Sequence, residues 1–375
     1  MKITGVCWKG FSIPFNNPYV TAKDFATHKY GTLLFLQSDS GITGVGEVSP
    51  VGAGNFRELK TIQRDLWKIA RRILKEENAC MDVINSVICE EASSFTRPLI
   101  EFGLETAIMD IYGKLEGKPM WELLGANSPI VPVNALITAE TPEKAINQSS
   151  LALESGFSSL KLKVGFGEGD RDIEMVAAVR DVIGPEPKLR IDVNGNWSVS
   201  KAIEKIGTLE SVKLEYVEQP VESGDFLGLE MVCRAVSVPL GVDESITDVT
   251  VIDWILRTQT VGIFIIKMGR LGGIGKSIEG IKSISAANKV AVVTSSLESG
   301  VGLAASCHIA TIIEHNLFAL GLATNSLLES DLLCESLSIR AGHMILTGKP
   351  GLGIEIDFDA LAWYAVGISG SIGWK

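Results

Sequence analysis

Eight short runs rich in β-branched residues alternate with amphipathic stretches over about 190 residues, and this alternation constrains the fold most strongly. Strand-like runs separated by helical stretches are typical of parallel βα units. Eight such units close most naturally into a (β/α) barrel. An open doubly wound sheet is the alternative, but no G-x-G-x-x-G motif follows any of the runs. The runs are 131–137, 159–164, 188–194, 213–220, 239–245, 262–268, 289–296 and 317–324.

The first 125 residues or so follow a different pattern. Residues 30–37 and 42–47 read as strands around the turn Asp39-Ser40-Gly41, which predicts a hairpin. Helical patterning follows in 55–76 and 99–116, so this block reads as an α+β unit. We therefore expect an α/β protein with an α+β domain over 1–125, a barrel over 126–350 and a segment, 351–375, that returns toward the first domain.

Ionisable residues lie at or near the carboxyl end of nearly every central run. The parallel strands of a barrel end at one rim, where barrel enzymes place their active sites, so we expect these residues to meet there. From Lys163 onward the strand-end positions are 24 to 29 residues apart, which is about one βα unit. The set comprises Lys161, Lys163, Asp192, Glu218, Asp243, Glu244 and Lys267.

Three of these residues, Asp192, Glu218 and Asp243, are carboxylates on consecutive strands. Residues two apart on a strand share a face, so the charged side chains of each run point away from its apolar ones. If the charged faces point inward, the carboxylates repel one another in a low-dielectric interior unless a cation lies among them. All-oxygen ligation suits a hard ion, which predicts Mg²⁺ at this site, with Mn²⁺ as the alternative.

Two lysines flank the carboxylates, since Lys163 lies one strand before the first and Lys267 one strand after the third. In a closed barrel their amines would face each other across the metal, where Mg²⁺ and a second ammonium lower a lysine pKa toward that of a general base. Proton abstraction beside a carboxylate gives an enediolate, whose charge a metal can hold. Ordinary ion pairs at the rim are the alternative, and five successive charged strands disfavour it. For Glu244, a role as a metal ligand and a role in supporting Asp243 are equally consistent with its position.

Composition limits the partners. Lys and Arg total 34 against 45 Asp and Glu, and this net charge of −11 argues against binding to nucleic acid or an anionic membrane. No apolar run reaches membrane-spanning length, and we expect no signal peptide. The six cysteines form no C-x-x-C pair, so we expect a reduced, cytoplasmic protein. The expected partner is a small-molecule carboxylate, and the sequence leaves open whether the chain forms a homo-oligomer.

The charged segments, taken together, resemble those of the enolase superfamily in its muconate-lactonizing subgroup. The resemblance implies a modified TIM barrel with an N-terminal α+β capping domain. It also implies that Asp192, Glu218 and Asp243 are Mg²⁺ ligands, that Lys163 and Lys267 are the acid and base, and that Asn194 supports the metal site. Lys161 resembles the lysine that touches the substrate carboxylate or lowers its neighbour's pKa. The segments are LKLKVG (160–165), IDVNGNW (191–197), YVEQP (216–220), VDES (242–245) and IIKMGRLGG (265–273).

Within that subgroup, residues 293–306, 102–111 and 131–137 resemble the o-succinylbenzoate synthases. This implies loss of water from a cyclohexadiene carboxylate in menaquinone or phylloquinone synthesis. Lys163 would remove the α-proton and return it to the departing hydroxyl, while Lys267 would act as a nearby cation. The succinyl end is expected against Thr294, Ser295, Ser296 and Gly321.

Two other functions remain open. The segment KMGRLGG (267–273) is equally similar to racemases and cycloisomerases, and both lysines are retained, so N-succinylamino acid racemisation or dipeptide epimerisation is the first alternative. An inactive barrel that serves as a binding protein is the second.

Other residues invite simpler interpretations. His308 and His315 are expected to be satisfied core or surface residues, and Trp197 is expected to pack rather than line a pocket. The Gly269–Gly275 run lacks G-K-[S/T] and reads as a tight turn. The polar segment Asn16–Tyr30 reads as a mobile loop, which in the resembled family covers the substrate.

Overall fold

The structure is a computed structural model that describes residues 1–23, 25–78, 80–166, 169–313 and 318–374. Across these ranges no helix is long and apolar enough to span a bilayer.

The strands are numbered in chain order. They are β1 (Ile3–Val20), β2 (Phe25–Ser38), β3 (Thr43–Val48), β4 (Ile130–Pro132), β5 (Ala135–Ile137), β6 (Ser159–Lys163), β7 (Lys188–Asp192), β8 (Val217–Glu218), β9 (Leu240–Val242), β10 (Ile263–Ile266), β11 (Val290–Val293), β12 (Ser338–Arg340), β13 (His343–Ile345) and β14 (Gly370–Ile372).

The helices are numbered in the same way. They are α1 (Phe56–Ile73), α2 (Met81–Glu91), α3 (Arg97–Glu116), α4 (Met120–Leu123), α5 (Pro142–Glu154), α6 (Arg171–Ile183), α7 (Val199–Thr208), α8 (Phe226–Ala235), α9 (Val249–Thr258), α10 (Met268–Leu271), α11 (Ile274–Ala286), α12 (Gly300–Ala310) and α13 (Phe358–Trp363).

The N-terminal part is an antiparallel sheet in the order β14-β1-β2-β3, packed against α1, α2 and α3. The predicted hairpin is confirmed, and Gly41 supplies the positive φ of 81° in its turn. Asn55 caps α1 by accepting hydrogen bonds from the amides of Arg57 and Glu58. The sequence prediction missed α2, which shows no strong apolar periodicity. The strands bury one face of the sheet against the helices, as expected for the α+β unit that the sequence predicts.

A parallel sheet in the order β5-β6-β7-β8-β9-β10-β11 forms the central part. The eighth run is reduced to single bridges, because Leu320 pairs with Val133 and Gly321 pairs with Thr294. These bridges join the two edge strands, so the sheet closes into the expected (β/α) barrel. Leu317, at the start of that run, lies outside the described residues.

The first run of the barrel divides into two strands. Ile130–Pro132 pairs with β13 in a small antiparallel sheet, and Ala135–Ile137 pairs with β6 in the barrel. The prediction of one continuous strand over 131–137 was therefore wrong. Between the two strands the amide of Asn134 donates to Leu320, so the chain changes partners without leaving this backbone amide unpaired.

The prediction of a mobile loop at Asn16–Tyr30 is corrected by the structure. Residues up to Val20 belong to β1 and residues from Phe25 belong to β2, and the two strands pair at Tyr19–Ala26 and Val20–Phe25. A register shift between Pro14 and Tyr19 bends this end of the hairpin. Polar composition suggested a loop, but an exposed hairpin end has the same composition since little of it is buried.

Strand register determines where the charged side chains lie. Lys163 is opposite Asp192, Asp192 is opposite Glu218, and Glu218 is opposite Gly241, which lies two residues before Asp243. Residues opposite one another in parallel strands present their side chains on the same face. The barrel therefore sets these groups side by side at the carboxyl ends of its strands.

Candidate active site

Five ionisable groups occupy the interior at this rim. Asp192, Glu218 and Asp243 are fully buried, and Lys161 and Lys163 are each 5% exposed. Buried charges are tolerated only when paired and hydrogen bonded, so each of them needs a partner of opposite charge or an ion.

Lys161 and Lys163 provide partners for the first two carboxylates. The Nζ of Lys161 lies 2.9 Å from Asp192 Oδ2 and 2.5 Å from Glu218 Oε1. The Nζ of Lys163 donates to Asp192 Oδ2 at 2.7 Å and to Asn194 Oδ1 at 2.9 Å. The sequence argument grouped these five residues, and the structure brings them together.

Asp243 is held by a second pair of cations. Lys267 Nζ lies 2.5 Å from Oδ2, and Arg270 Nη1 lies 2.6 Å from Oδ1 and 2.7 Å from the Asp243 main-chain oxygen. Sequence reasoning missed Arg270, although it lies in the quoted KMGRLGG segment. Its position three residues after Lys267, about one helical turn, is the signal that could have identified it.

Neutral groups orient the carboxylates. Asn194 donates its amide N–H to Asp192 Oδ1 at 3.0 Å and its side-chain Nδ2 to Glu244 Oε1 at 2.8 Å. Glu244 thus shares a partner with Lys163. Gln219 Oε1 accepts from the amides of Asp243 and Ser245 at 3.0 and 3.2 Å, a role that no local sequence pattern indicates.

The pKa values of the three carboxylates are shifted in different directions. Burial would raise the pKa of Asp192, but Lys161 and Lys163 outweigh it and hold the pKa well below its ordinary value. The pKa of Asp243 is likewise lowered, because Lys267 and Arg270 outweigh the effect of burial. For Glu218, burial and the Asp192 carboxylate raise the pKa to about 8 against the opposing effect of Lys161.

The lysine pKa values run against the expectation from sequence. Burial lowers the pKa of Lys163, but the Asp192 carboxylate more than offsets this, and the pKa lies above its ordinary value. The pKa of Lys161 is raised for the same reason, with Asp192 and Glu218 outweighing burial. A lowered lysine pKa therefore requires a divalent ion that takes up the carboxylate charge.

The carboxylates fit a hard divalent cation by their chemistry. Glu218 Oε2 and Glu244 Oε2 are buried and have no hydrogen-bond partner among the groups that the structure describes. Within those same ranges no three carboxylate, imidazole or thiolate groups already converge at ligand spacing. Lysine ammonium groups contact these carboxylates instead. An acceptor left without a partner in a low-dielectric interior is what a cation would satisfy.

A cavity opens onto the lysines. It contains every residue predicted to contact substrate together with both predicted acid–base lysines, and no carboxylate is among the described side chains that line it. Tyr19, from the hairpin that was expected to be a loop, reaches it as well. Its lining comprises Tyr19, Gly52, Asn134, Leu136, Lys161, Lys163, Lys267, Thr294, Ser295, Ser296, Leu297, Gly321, Ala323 and Thr324.

Other polar residues prove to be structural. His308 is buried, accepts from the amide of Trp121 at 3.0 Å through Nδ1 and lies 3.1 Å from the Leu352 carbonyl through Nε2. Trp197 is buried and donates to Asp172 at 3.2 Å. Both match the simpler interpretation. His315 lies outside the described residues.

Three amines that border one cavity, with a row of buried carboxylates behind them, can bind an anionic substrate and move a proton at a carbon beside its carboxylate. Four cations (Lys161, Lys163, Lys267 and Arg270) face four carboxylates (Asp192, Glu218, Asp243 and Glu244) in this set. A divalent ion would make the set positive, which an anionic substrate would offset.

Known proteins share this architecture. A family model described as enolase C-terminal domain-like matches residues 145–360. The o-succinylbenzoate synthase of Thermobifida fusca is 33% identical over 67% of this chain and 80% of its own. The L-Ala-D/L-Glu epimerase of Bacillus subtilis is 26% identical over 94% of this chain and 97% of its own.

A solved structure extends the likeness to the whole fold. The muconate lactonizing enzyme of Pseudomonas fluorescens, complexed with muconolactone, superposes with a TM-score of 0.91 at 24% identity, covering 97% of this chain and 99% of its own. The chain belongs to the enolase superfamily, in its muconate-lactonizing subgroup, and is an enzyme of that superfamily.

Proposed function

We propose that this protein is an Mg²⁺-dependent o-succinylbenzoate synthase. One observation carries the proposal: Lys163 and Lys267 border the same cavity as Ser295, Ser296 and Gly321, while the buried carboxylates lie directly behind the lysines. The likeness to a synthase at 33% identity supports the same activity.

The metal site in this proposal uses Asp192, Glu218 and Asp243. Their oxygen donors suit Mg²⁺, and enolase-superfamily sites pair such ions with a lysine or histidine base. When bound, the ion supplies the positive charge that stabilises an enediolate. Asn194 orients Asp192 through its backbone N–H, and Glu244 in turn accepts a hydrogen bond from the Asn194 side chain.

The lining of the cavity favours an anionic substrate. Lys161, Lys163 and Lys267 supply positive charge, and Thr294, Ser295 and Ser296 supply backbone and hydroxyl groups for its polar end. The ammonium terminus of a dipeptide would find no carboxylate among the described lining residues, and an unpaired buried charge is costly. This argues for a dicarboxylate rather than a dipeptide.

The chain's own groups account for the dehydration. Lys163, as the free amine, takes the proton α to the substrate carboxylate, and the ammonium so formed gives a proton to the departing hydroxyl, which leaves as water. The amine is regenerated, so acid and base balance over the cycle. Lys267 remains protonated and stabilises the developing negative charge.

Racemisation of an N-succinylamino acid is the second candidate. Two lysines border one cavity, which gives the two bases that inversion at Cα requires. Asn134 adds a specific observation, because its Oδ1 is buried without a described partner while its Nδ2 donates to the Ala135 carbonyl. An amide N–H of the substrate would satisfy that acceptor.

The experiment compares Lys163→Ala, Lys267→Ala and the control Lys188→Ala, an exposed lysine at the start of β7, with each class of substrate. A synthase should lose roughly 10²–10⁴-fold in dehydration rate with Lys163→Ala and should lose activity on treatment with EDTA. The control should retain full activity. Absence of metal-dependent dehydration in the wild type would refute the synthase.

Deuterium exchange separates the two candidates. A racemase exchanges Cα–H of both enantiomers in D₂O, and each single lysine variant should then exchange only one of them. In a synthase, the two lysine variants should not each retain exchange of one enantiomer. If neither activity appears, and the protein still binds a dicarboxylate, the barrel acts as a binding protein instead.

A further inference from the structure

Lys29 is a fully buried lysine between the N-terminal sheet and the barrel. It lies on β2, and its Nζ donates to the carbonyls of Pro50 at 2.7 Å, Gly52 at 2.5 Å and Ser296 at 3.3 Å. All three partners are uncharged main-chain oxygens. An ammonium has three N–H donors, so each of them is used.

The lysine thereby joins two parts of the cavity lining that are far apart in sequence. Gly52 belongs to the turn that follows β3, whereas Ser296 follows β11 of the barrel, and both border the cavity that contains Lys163. Gly52 has a φ of 77°, and a Cβ added there would meet no atom within 4 Å. Gly52 itself therefore makes little contact here, and the Lys29 ammonium adds hydrogen bonds that join this turn to the barrel, beside the packing of Ala53 against the main hydrophobic core.

The barrel side of this contact is held from a second direction. Glu298 Oε2 accepts from the amide of Ser296 at 2.6 Å and from Ser295 Oγ at 2.7 Å. Glu47, on β3, accepts from the amides of Ser299 and Gly302, both at 3.0 Å, at the beginning of α12. The segment after β11 is thus fixed by carboxylates, and the Pro50–Gly52 turn is fixed to it by Lys29.

Charged groups approach Lys29 from three elements. Glu298 precedes α12, Glu47 lies on β3 and Glu58 on α1. Burial lowers the pKa of Lys29 to about 8, and these three carboxylates oppose that lowering. The ammonium is therefore the main form near neutral pH, and the neutral amine, with one donor fewer, prevails in more alkaline solution.

We propose that Lys29 is a positioning residue, which fixes the Gly52–Ser296 side of the cavity and so sets the affinity for the end of the substrate that rests against Ser295 and Ser296. This inference rests on the proposed function, because it assigns that end of the substrate to this wall. Lys29 itself does not line the cavity, so it acts through the two segments that it joins.

Lys29→Met tests the inference, with Lys60→Met on the exposed face of α1 as control. We expect KM to rise about ten-fold or more while kcat changes less than about three-fold, since the acid–base lysines are untouched. In the wild type KM should rise above pH 8, and this rise should be absent in Lys29→Met. A folded variant with unchanged KM, or with kcat lowered at unchanged KM, would overturn the proposal.

Lys29→Arg covers the case in which Lys29→Met does not fold. An arginine keeps its charge throughout the range, so the rise in KM above pH 8 should disappear while KM at pH 7 stays within about three-fold of wild type. Persistence of the rise in Lys29→Arg would overturn the proposal.

A measurement without substrate separates this inference from the proposed function. Hydrogen–deuterium exchange of the peptides covering 50–54 and 295–299 should be faster in Lys29→Met than in Lys60→Met. Unchanged exchange refutes the role of Lys29 whatever reaction the enzyme catalyses. Lack of synthase activity in the wild type, with faster exchange in the variant, refutes only the synthase.

Discussion

Acidification should destabilise this protein in part through the buried imidazole of His308. It is fully buried in α12, and both ring nitrogens are engaged: Nδ1 accepts from the Trp121 amide, and Nε2–H points at the Leu352 carbonyl. A proton added to Nδ1 would oppose the Trp121 N–H and break that hydrogen bond. The folded chain therefore retains the neutral ring.

The magnitude follows from the pKa. Burial lowers the pKa of His308 to about 4, against an ordinary value of 6.5. Stability from this group is complete above pH 6.5 and is lost as pH falls toward 4, because only the unfolded chain takes up the proton. At 1.36 kcal/mol per unit, the free energy of unfolding should fall by about 2 kcal/mol at pH 5 and by about 3 kcal/mol below pH 4.

Urea denaturation at pH 7.5, 6, 5 and 4.5 measures this, with His308→Gln as the comparison. Glutamine can hydrogen bond but does not titrate, so the variant should start less stable at pH 7.5 and lose about 2 kcal/mol less than wild type by pH 5. The difference between the two proteins removes the contribution of other titrating groups. Parallel pH profiles for wild type and variant would refute the reasoning.

Two further variants test the packing between the N-terminal part and the barrel, and the metal site. Glu105→Gln should lower the free energy of unfolding by about 1–2 kcal/mol, because this buried carboxylate accepts hydrogen bonds from two backbone amides at the start of α11. The control is Glu116→Gln, an exposed position on the same helix, α3. It should change the free energy of unfolding by less than about 0.5 kcal/mol in the same denaturation assay. Equal effects of the two would contradict the capping role. Glu218→Gln should weaken Mg²⁺ binding, measured by calorimetry, at least about ten-fold, while Glu222→Gln, exposed four residues later, should leave it unchanged; unaltered affinity in Glu218→Gln would exclude it as a ligand.

Much of the site could be predicted from local sequence because each strand-end motif is short and periodic. A parallel barrel repeats every 24 to 29 residues and always exposes the same end of each strand, so Lys163, Asp192 and Glu218 had to share a rim once the strands were assigned. Their roles as base and metal ligands remain predictions.

Other contributors gave no such signal because they reach the site from outside that repeat. Tyr19 comes from a hairpin whose polar composition resembled a loop, and Asn134 lies between two short strands that pair with different sheets. Lys29 and Gly52 meet Ser296 only because the N-terminal sheet packs on the barrel. No local pattern encodes these contacts.

By itself the sequence determined the alternation of strands and helices in the barrel, the alternation of charged and apolar faces, and the family to which those motifs belong, since all three depend on neighbours within a few residues. The tertiary structure alone decided which charges pair. Lys161 lies between Asp192 and Glu218, Arg270 supports Asp243, and Lys29 joins two walls of one cavity. The physical reason is that Coulomb energy and desolvation depend on distance and burial in three dimensions, and barrel closure fixes both.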